Sequence, residues 1–278
     1  MGTPDLTREI TKDTGLCISL AGRPSNIGTR FHNYLYAELS LDFICKAFTT
    51  RDLGAAIAGL RGLGIRGCGV SMPYKEACMP YLDELDASAR ALASVNTIVN
   101  HEGHLCGYNT DYIAVRQLLE THGLSAELGF ILRGSGGMAK AVAGALADAG
   151  FRTGTILARN VTTGAELAKR YGCRWCQELG DARADLLINV TPIGMAGSPD
   201  SNALAFEPDA VRQAKAVFDV VAMPPETPLI RVARAEGKTV VTGDEVIALQ
   251  AAEQFALYTG VRPSEAQIRR ASEHARAV

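Results

Sequence analysis

At 278 residues, 47% hydrophobic and 21% charged, the chain is long enough for two domains and too apolar to read as disordered. A formal net charge of -2 and an isoelectric point near 6.2 argue against nucleic acid or an anionic membrane as partner, since both call for a concentrated basic surface. The start from Met1 to Lys12 is polar, without an apolar leader core, and no stretch reaches the ~20 uncharged apolar residues of a membrane span, so a cytoplasmic protein is expected.

In chain order, an apolar run at Leu16 to Leu20 precedes a helical pattern through Phe31 to Leu39. A second run at Phe43 to Phe48 precedes a helix over Leu53 to Leu63. This alternation predicts β-α-β units, continuing with Gly67 to Val70 and helical material around Glu76 to Leu92. A hairpin follows from Thr97 to Asn100 and His104 to Gly107, turning at Glu102-Gly103, then a helix through Val115 to Thr121.

A second unit opens on the strand Leu128 to Leu132 and runs through Gly134-Ser135-Gly136-Gly137 into an Ala-rich helix that ends near Gly150. Strands are expected at Thr155 to Ala158, Leu186 to Val190, Val217 to Val221 and Thr239 to Thr242, with helix-like segments between them. That rhythm predicts a mostly parallel, doubly wound α/β sheet. Asp244 to Thr259 and Pro263 to Ala277 read as two closing helices.

Seven cysteines, an odd number in a chain of this size, read as reduced and mostly buried thiols. Cys173-Arg174-Trp175-Cys176 lacks a second Cys/His pair at zinc spacing and follows a helix instead of opening one, so neither metal nor redox chemistry is expected there. His101 and His104 flank the hairpin turn, and no metal site is expected in the chain.

The glycine cluster sits between a continuous apolar strand and a helix, the setting in which backbone amides approach a pyrophosphate at a helix N-terminus. A bare cluster of this kind is otherwise only a turn. At the end of the next strand stand Ala158, Arg159 and Asn160, with no acid for a free ribose hydroxyl. A guanidinium there suits a 2′-phosphate, which favours NADP over NAD, unless Arg159 is only a solvated charge.

Six ordered segments remain: Val70-Ser71-Met72-Pro73-Tyr74-Lys75, Ser94-Val95-Asn96-Thr97, Gly107-Tyr108-Asn109-Thr110-Asp111, Asn189 to Met195, Asp219 to Pro224, and Gln250-x-x-x-Gln254-Phe255. Together they resemble the shikimate dehydrogenase family over nearly the whole chain. The run Gly22 to Asn33 resembles its shikimate-dehydrogenase-like branch in particular.

The resemblance implies an N-terminal α/β substrate domain, residues 1–111 with 247–278, and a Rossmann-type NADP-binding domain, residues 112–246, with the reaction in a cleft between them. It implies Lys75 and Asp111 as the catalytic pair at the alcohol being oxidised, and Ser71, Asn96, Gln250 and Asn26 as contacts to substrate. For the cofactor it implies Gly134, Ser135, Gly136, Gly137, Met138, Ala158, Arg159, Asn160, Thr191 and Gly243. Taken alone, Lys75 is a solvated lysine in a first helical turn, Asp111 a first-turn acid, and Asn96 an asparagine satisfying a turn.

The family's Ser-x-Ser for the substrate carboxylate falls, counted back from His32-Asn33, on Asn26 and Gly28. The asparagine that opens the lysine segment is Gly69 here, and the tyrosine of the Asp219 segment is Ala222. Losing hydrogen bonds to a charged carboxylate costs ~1.5–3 kcal/mol each, so slow oxidation of shikimate is expected. The activity implied is shikimate to 3-dehydroshikimate with NADP, in aromatic amino acid biosynthesis. The alternatives are quinate or an aminoshikimate-like analogue as substrate, or a non-catalytic NADP-binding regulator. The partner implied is a small cyclic polyol carboxylate, and a monomer or homodimer is expected.

Overall fold

In a computed structural model, residues 9–180 and 182–277 are described, so most of the polar amino-terminal segment lies outside the described residues. The chain divides into two compact units, residues 1–110 with 248–278 and residues 111–247.

Unit 1 contains β1 (Gly15–Leu20), α1 (Ile27–Glu38), β2 (Phe43–Phe48), α2 (Leu53–Gly62), β3 (Gly67–Val70), α3 (Tyr74–Ala77), β4 (Glu84–Leu85), α4 (Ala87–Leu92), β5 (Thr97–His101) and β6 (His104–Tyr108). Unit 2 takes up α5 (Thr110–Thr121) from Asp111 onward, then β7 (Phe130–Arg133), α6 (Gly137–Asp148), β8 (Gly154–Leu157), α7 (Val161–Arg170) and β9 (Arg174–Cys176). It continues with β10 (Leu186–Asn189), α8 (Pro208–Gln213), β11 (Ala216–Asp219), α9 (Pro228–Ala235) and β12 (Thr239–Thr242). The chain closes with α10 (Gly243–Thr259), which enters unit 1 at Ala248, and α11 (Glu265–Arg276).

The sheet of unit 1 has the order β2-β1-β3-β5-β6-β4 and is mixed: β1 pairs in parallel with β2 and β3, while β5 runs antiparallel to both β3 and β6. One apolar cluster gathers Phe31, Leu35, Phe255 and Tyr258, and another gathers Ile57, Leu60, Ile98 and Leu105. The hairpin turns at Glu102 and Gly103, both at positive φ, as the sequence suggests.

The expected helix over Glu76 to Leu92 is broken. Its middle holds a single 3-10 turn at Met79–Tyr81 and then the short strand β4, because the edge of β6 recruits the segment. Asp83 donates its N–H to the Leu105 carbonyl and its carboxylate accepts from the Leu105 N–H at 2.7 Å and from Arg61 at 2.7 Å. A second difference is β9: the Cys173-to-Cys176 segment supplies an edge strand three residues long, paired in parallel with β8. Both its thiols are half-buried and pushed up by burial, opposite to the lowered thiol of a reactive pair.

The sheet of unit 2 is wholly parallel in the order β12-β11-β10-β7-β8-β9. The order reverses between β7 and β10, the kind of switch point at whose carboxyl ends doubly wound sheets bind their ligands. Among the described residues no helix is long and apolar enough to cross a membrane, and no group of three or more His, Cys, Asp or Glu is placed to hold a metal.

His32 is a cost built into the core of unit 1. It is 3% exposed, stacks on Phe255, and burial pushes its pKa from 6.5 down to about 4 against the opposing hydrogen bond with Gln254. A lowered base is neutral when folded, so its stabilisation is intact above pH 6.5 and lost as pH falls towards 4. The loss amounts to about 3 kcal/mol. Urea unfolding of wild type and His32→Phe from pH 7.5 to 4.5 is expected to show the wild type losing stability relative to the variant across that window. Parallel curves would contradict a buried neutral imidazole.

Candidate functional site

In unit 1 the three segments that carry Lys75, Asn96 and Thr110 meet at one end of three adjacent strands. Gly69 and Thr97 are cross-strand partners on β3 and β5, and Thr97 pairs in turn with Tyr108 on β6, so the exit of β3, the entry of β5 and the exit of β6 lie side by side. Backbone bonds lock them: Val70 N–H donates to the Asn96 carbonyl at 2.7 Å, Val95 N–H to the Lys75 carbonyl at 2.8 Å, and Asn96 N–H to the Tyr108 carbonyl at 3.0 Å. Lys75 is half-buried on the short helix α3. Ser71 is exposed at the strand exit, where its N–H donates to Leu20 and its carbonyl accepts from Tyr74.

Asn96 is 3% exposed, and its Oδ1 accepts from Thr97 Oγ1 at 2.8 Å, the Thr110 N–H at 2.8 Å and Thr110 Oγ1 at 3.1 Å. It therefore does satisfy the turn into α5, as the plain reading of an asparagine there requires. Asp111 follows in the first turn of α5, 8% exposed. Gln250 reaches the same place from α10, with Thr110 Oγ1 at 3.4 Å from its Oε1. Asn26 is the outlier: it precedes α1, is exposed, and its side chain caps nothing.

In unit 2 the glycine loop leaves β7 with Gly134 at φ +128°, a conformation side chains rarely adopt. A Cβ there would lie 2.7 Å from Val190 Cγ2 on the neighbouring exit of β10. Gly136 takes the N-cap of α6 without a side-chain cap, and a Cβ on Gly136 or Gly137 would meet nothing within 4 Å. The start of this twelve-residue helix is thus left uncovered by side chains at Gly136 and Gly137, the setting in which first-turn amides, that of Met138 among them, can take a dinucleotide pyrophosphate. Ser135 Oγ lies 2.7 Å from Thr163 Oγ1, and Asn160 caps α7 by accepting from the Thr163 N–H at 3.0 Å, so the loop is tied to the next helix start.

Arg159 is exposed between that cap and the buried Ala158, whose carbonyl accepts from Trp175 Nε1. Thr191 is bound into the β10 exit, its hydroxyl and N–H both donating to Asn189 Oδ1. Gly243 opens α10 where a Cβ would run into the Val220 and Val221 backbone, so any side chain would collide. The donor set therefore fits a phosphate-bearing dinucleotide.

Sequence reasoning overlooked Arg133 and Thr163. Arg133 ends β7, donates to the Ala205 carbonyl, and is pulled down by burial and by the neighbouring Arg159. The signal was a single charge closing an otherwise apolar strand.

Residues 26–98 match the family model described as shikimate dehydrogenase substrate binding domain. A shikimate dehydrogenase-like protein of Haemophilus influenzae is 56% identical over 267 residues, covering 96% of this chain and 98% of the other. The chain belongs to the shikimate dehydrogenase family. A solved shikimate 5-dehydrogenase-like protein superposes with a TM-score of 0.95 at 55% identity, covering 97% of this chain and 100% of that one. The shikimate 5-dehydrogenase of Thermus thermophilus, solved with NADP(H) and shikimate, superposes at 0.84 with 29% identity, covering 94% and 99%. The family expected from the six motifs, and its mixed α/β architecture, are both borne out.

Proposed function

We propose that this chain is an NADP-dependent dehydrogenase of a secondary alcohol on a cyclic polyol carboxylate, interconverting shikimate and 3-dehydroshikimate slowly. Unit 1 takes the substrate and unit 2 the dinucleotide. The observation that carries the reading is the convergence of Ser71, Lys75, Asn96 and Gln250 on one end of adjacent strands, one residue from Asp111 through Thr110.

When bound, the nicotinamide supplies a hydride acceptor. The alcohol oxygen must shed its proton as the hydride leaves, and the Lys75/Asp111 couple can orient that oxygen by hydrogen bonding and take up and relay its proton. Asn96 and Gln250 fix the ring by its other hydroxyls. Gly134, Ser135, Gly136 and Gly137 would hold the pyrophosphate, and Arg159 the 2′-phosphate. Asn26 would be left as a substrate contact in the place of a serine.

Nicotinamide absorbance with shikimate and quinate, each offered with NADP and NAD, tests the reading. Reduction in one combination and its absence in the Lys75→Ala protein is the expected result. Silence in all four from folded wild type overturns it.

Slowness has a separate test. A Cβ at Gly28 would meet nothing within 4 Å, and its φ is not in the left-handed region, so a serine fits without moving the backbone. The double variant Asn26→Ser, Gly28→Ser is expected to raise kcat/KM for shikimate about a hundredfold or more, as two bonds to a charged carboxylate at ~1.5–3 kcal/mol each return. An unchanged kcat/KM would mean that the carboxylate is already held by other groups.

A further inference from the structure

One face of β3 is bare at alternate positions, and α10 lies directly on it. A Cβ at Gly67 would run into the Tyr258 ring. One at Gly69 would stand 3.5 Å from Gln254 Nε2, 3.6 Å from its Oε1 and 3.9 Å from its Cδ. Two residues along a strand span ~6.6 Å and four along a helix ~6 Å, so the row 254 and 258 seats on the row 69 and 67. Gln250 continues the helix row by one turn, towards the exit of β3 where Ser71 stands.

We propose that Gln254 is a positioning residue: its carboxamide occupies the place of the side chain missing at Gly69 and fixes Asn96 as a hydrogen-bond donor towards the substrate. The geometry stands by itself, while its kinetic consequence rests on the dehydrogenase reading above.

Bond directions carry the argument. Gln254 Nε2 lies 3.2 Å from the Asn96 carbonyl, an atom that can only accept, so this end of the amide is the NH2. The same Nε2 donates to Thr97 Oγ1 at 3.0 Å, which turns the Thr97 hydroxyl to donate onward to Asn96 Oδ1. The Thr110 N–H, a donor by nature, also points at Oδ1. A flipped Asn96 would set donor against donor, so Nδ2 is the atom left to meet a ligand oxygen. His32 also hydrogen-bonds the Gln254 side chain, the bond that opposes the effect of burial on its ring. Gln254 itself is 9% exposed and part of the floor, whereas Gln250 is more open.

Position 69 is thus complementary to position 254, and the two can be exchanged. Gly69→Asn alone drives a second carboxamide into the first and is expected to lower Tm by about 8 °C or to leave no soluble protein. Adding Gln254→Ala to it is expected to recover at least about half of that loss, and to restore KM relative to Gln254→Ala alone. A double variant no better than Gly69→Asn overturns the exchange.

Gln254→Met keeps volume over Gly69 but cannot donate. It is expected to raise KM about tenfold with kcat changed less than about threefold, and to speed exchange of the Thr110 amide proton about tenfold. Unchanged KM with unchanged Thr110 exchange overturns the positioning role. Should wild type oxidise no alcohol, the dehydrogenase reading fails, and the Tm pair and the Thr110 amide still decide the placement of Gln254.

Discussion

Lys75→Ala is expected to lower turnover about 10²- to 10⁴-fold while NADP binding stays within about twofold of wild type. The first half follows from chemistry. Without a group at the alcohol oxygen to donate and to take up charge, the proton must leave to water as the hydride departs. Fixed general catalysis contributes a factor of that size. The second half follows from architecture. Lys75 lies in unit 1, in a helix of four residues, whereas the glycine loop and Arg159 lie in unit 2. The backbone bond from the Val95 N–H to the carbonyl of residue 75 survives the substitution, so the strand exits keep their register. Stability should change by less than about 1 kcal/mol, as expected for a partly exposed site away from the core.

Asp111→Asn is isosteric and is expected to fall in the same range of turnover. Single-turnover rates and dinucleotide titration by fluorescence quenching, on each variant, separate the two effects. Loss of dinucleotide binding in step with activity would show that residue 75 acts on the cofactor or on folding, and would remove it from the catalytic pair.

How far this could be read in advance depends on where the governing interactions sit along the chain. The strands of unit 2 are runs of buried apolar residues separated by helices, so their alternation and parallel order follow from patterning. The glycine loop was legible because strand, turn and helix are consecutive. β9 was not: three residues reading Arg-Trp-Cys carry no period, and pairing with β8 alone makes them a strand. Helix content around Glu76 to Leu92 was overestimated because Asp83 and Leu105, distant in sequence, exchange bonds that pull the segment onto a sheet edge.

At the site, the residue types of Lys75, Asn96 and Asp111 and their order were legible only as a resemblance. Composition offered no reason to prefer them to solvated side chains. Gly69 read as a loss, since nothing in one strand announces that a carboxamide from α10 lies across it. The spacing of Gln250 and Gln254 did place both on one helical face, and that was the one local sign of their shared neighbourhood.

Asp219 shows the same limit, and it governs the second large effect. The residue read as part of a family motif, and in the structure it is the knot of unit 2: 0% exposed, with Oδ1 accepting from Asn189 Nδ2 at 2.9 Å and the Val221 N–H at 3.1 Å, and Oδ2 from Thr227 Oγ1 at 2.7 Å. Thr227 caps α9, so one carboxyl joins the exits of β10 and β11 to a helix start. Asp219→Ala leaves the Val221 N–H and the Thr227 hydroxyl buried without that acceptor. At about 1–3 kcal/mol each, the expected loss of unfolding free energy is about 2–6 kcal/mol. That is a large share of the ~5–15 kcal/mol of an ordinary domain.

Its titration supplies an independent check. Burial pushes the Asp219 carboxyl from 3.8 up to about 6, opposed by the bonds from Thr227, Val221 and Asn189. A raised acid holds its proton longer when folded, so this contribution to stability is complete below pH 3.8 and is lost as pH rises through 6, by about 3 kcal/mol. His32 acts in the opposite sense over an overlapping window, being lost as pH falls from 6.5 towards 4. The two offset each other in the wild-type profile, and single variants expose them. Relative to wild type, Asp219→Asn should lose most stability near pH 4 and least above pH 6.5, while His32→Phe should lose least near pH 4. Denaturant titrations at four pH values on the three proteins read both differences. A constant offset between wild type and Asp219→Asn across the range would show a carboxylate that stays charged throughout, with its three donors outweighing its burial.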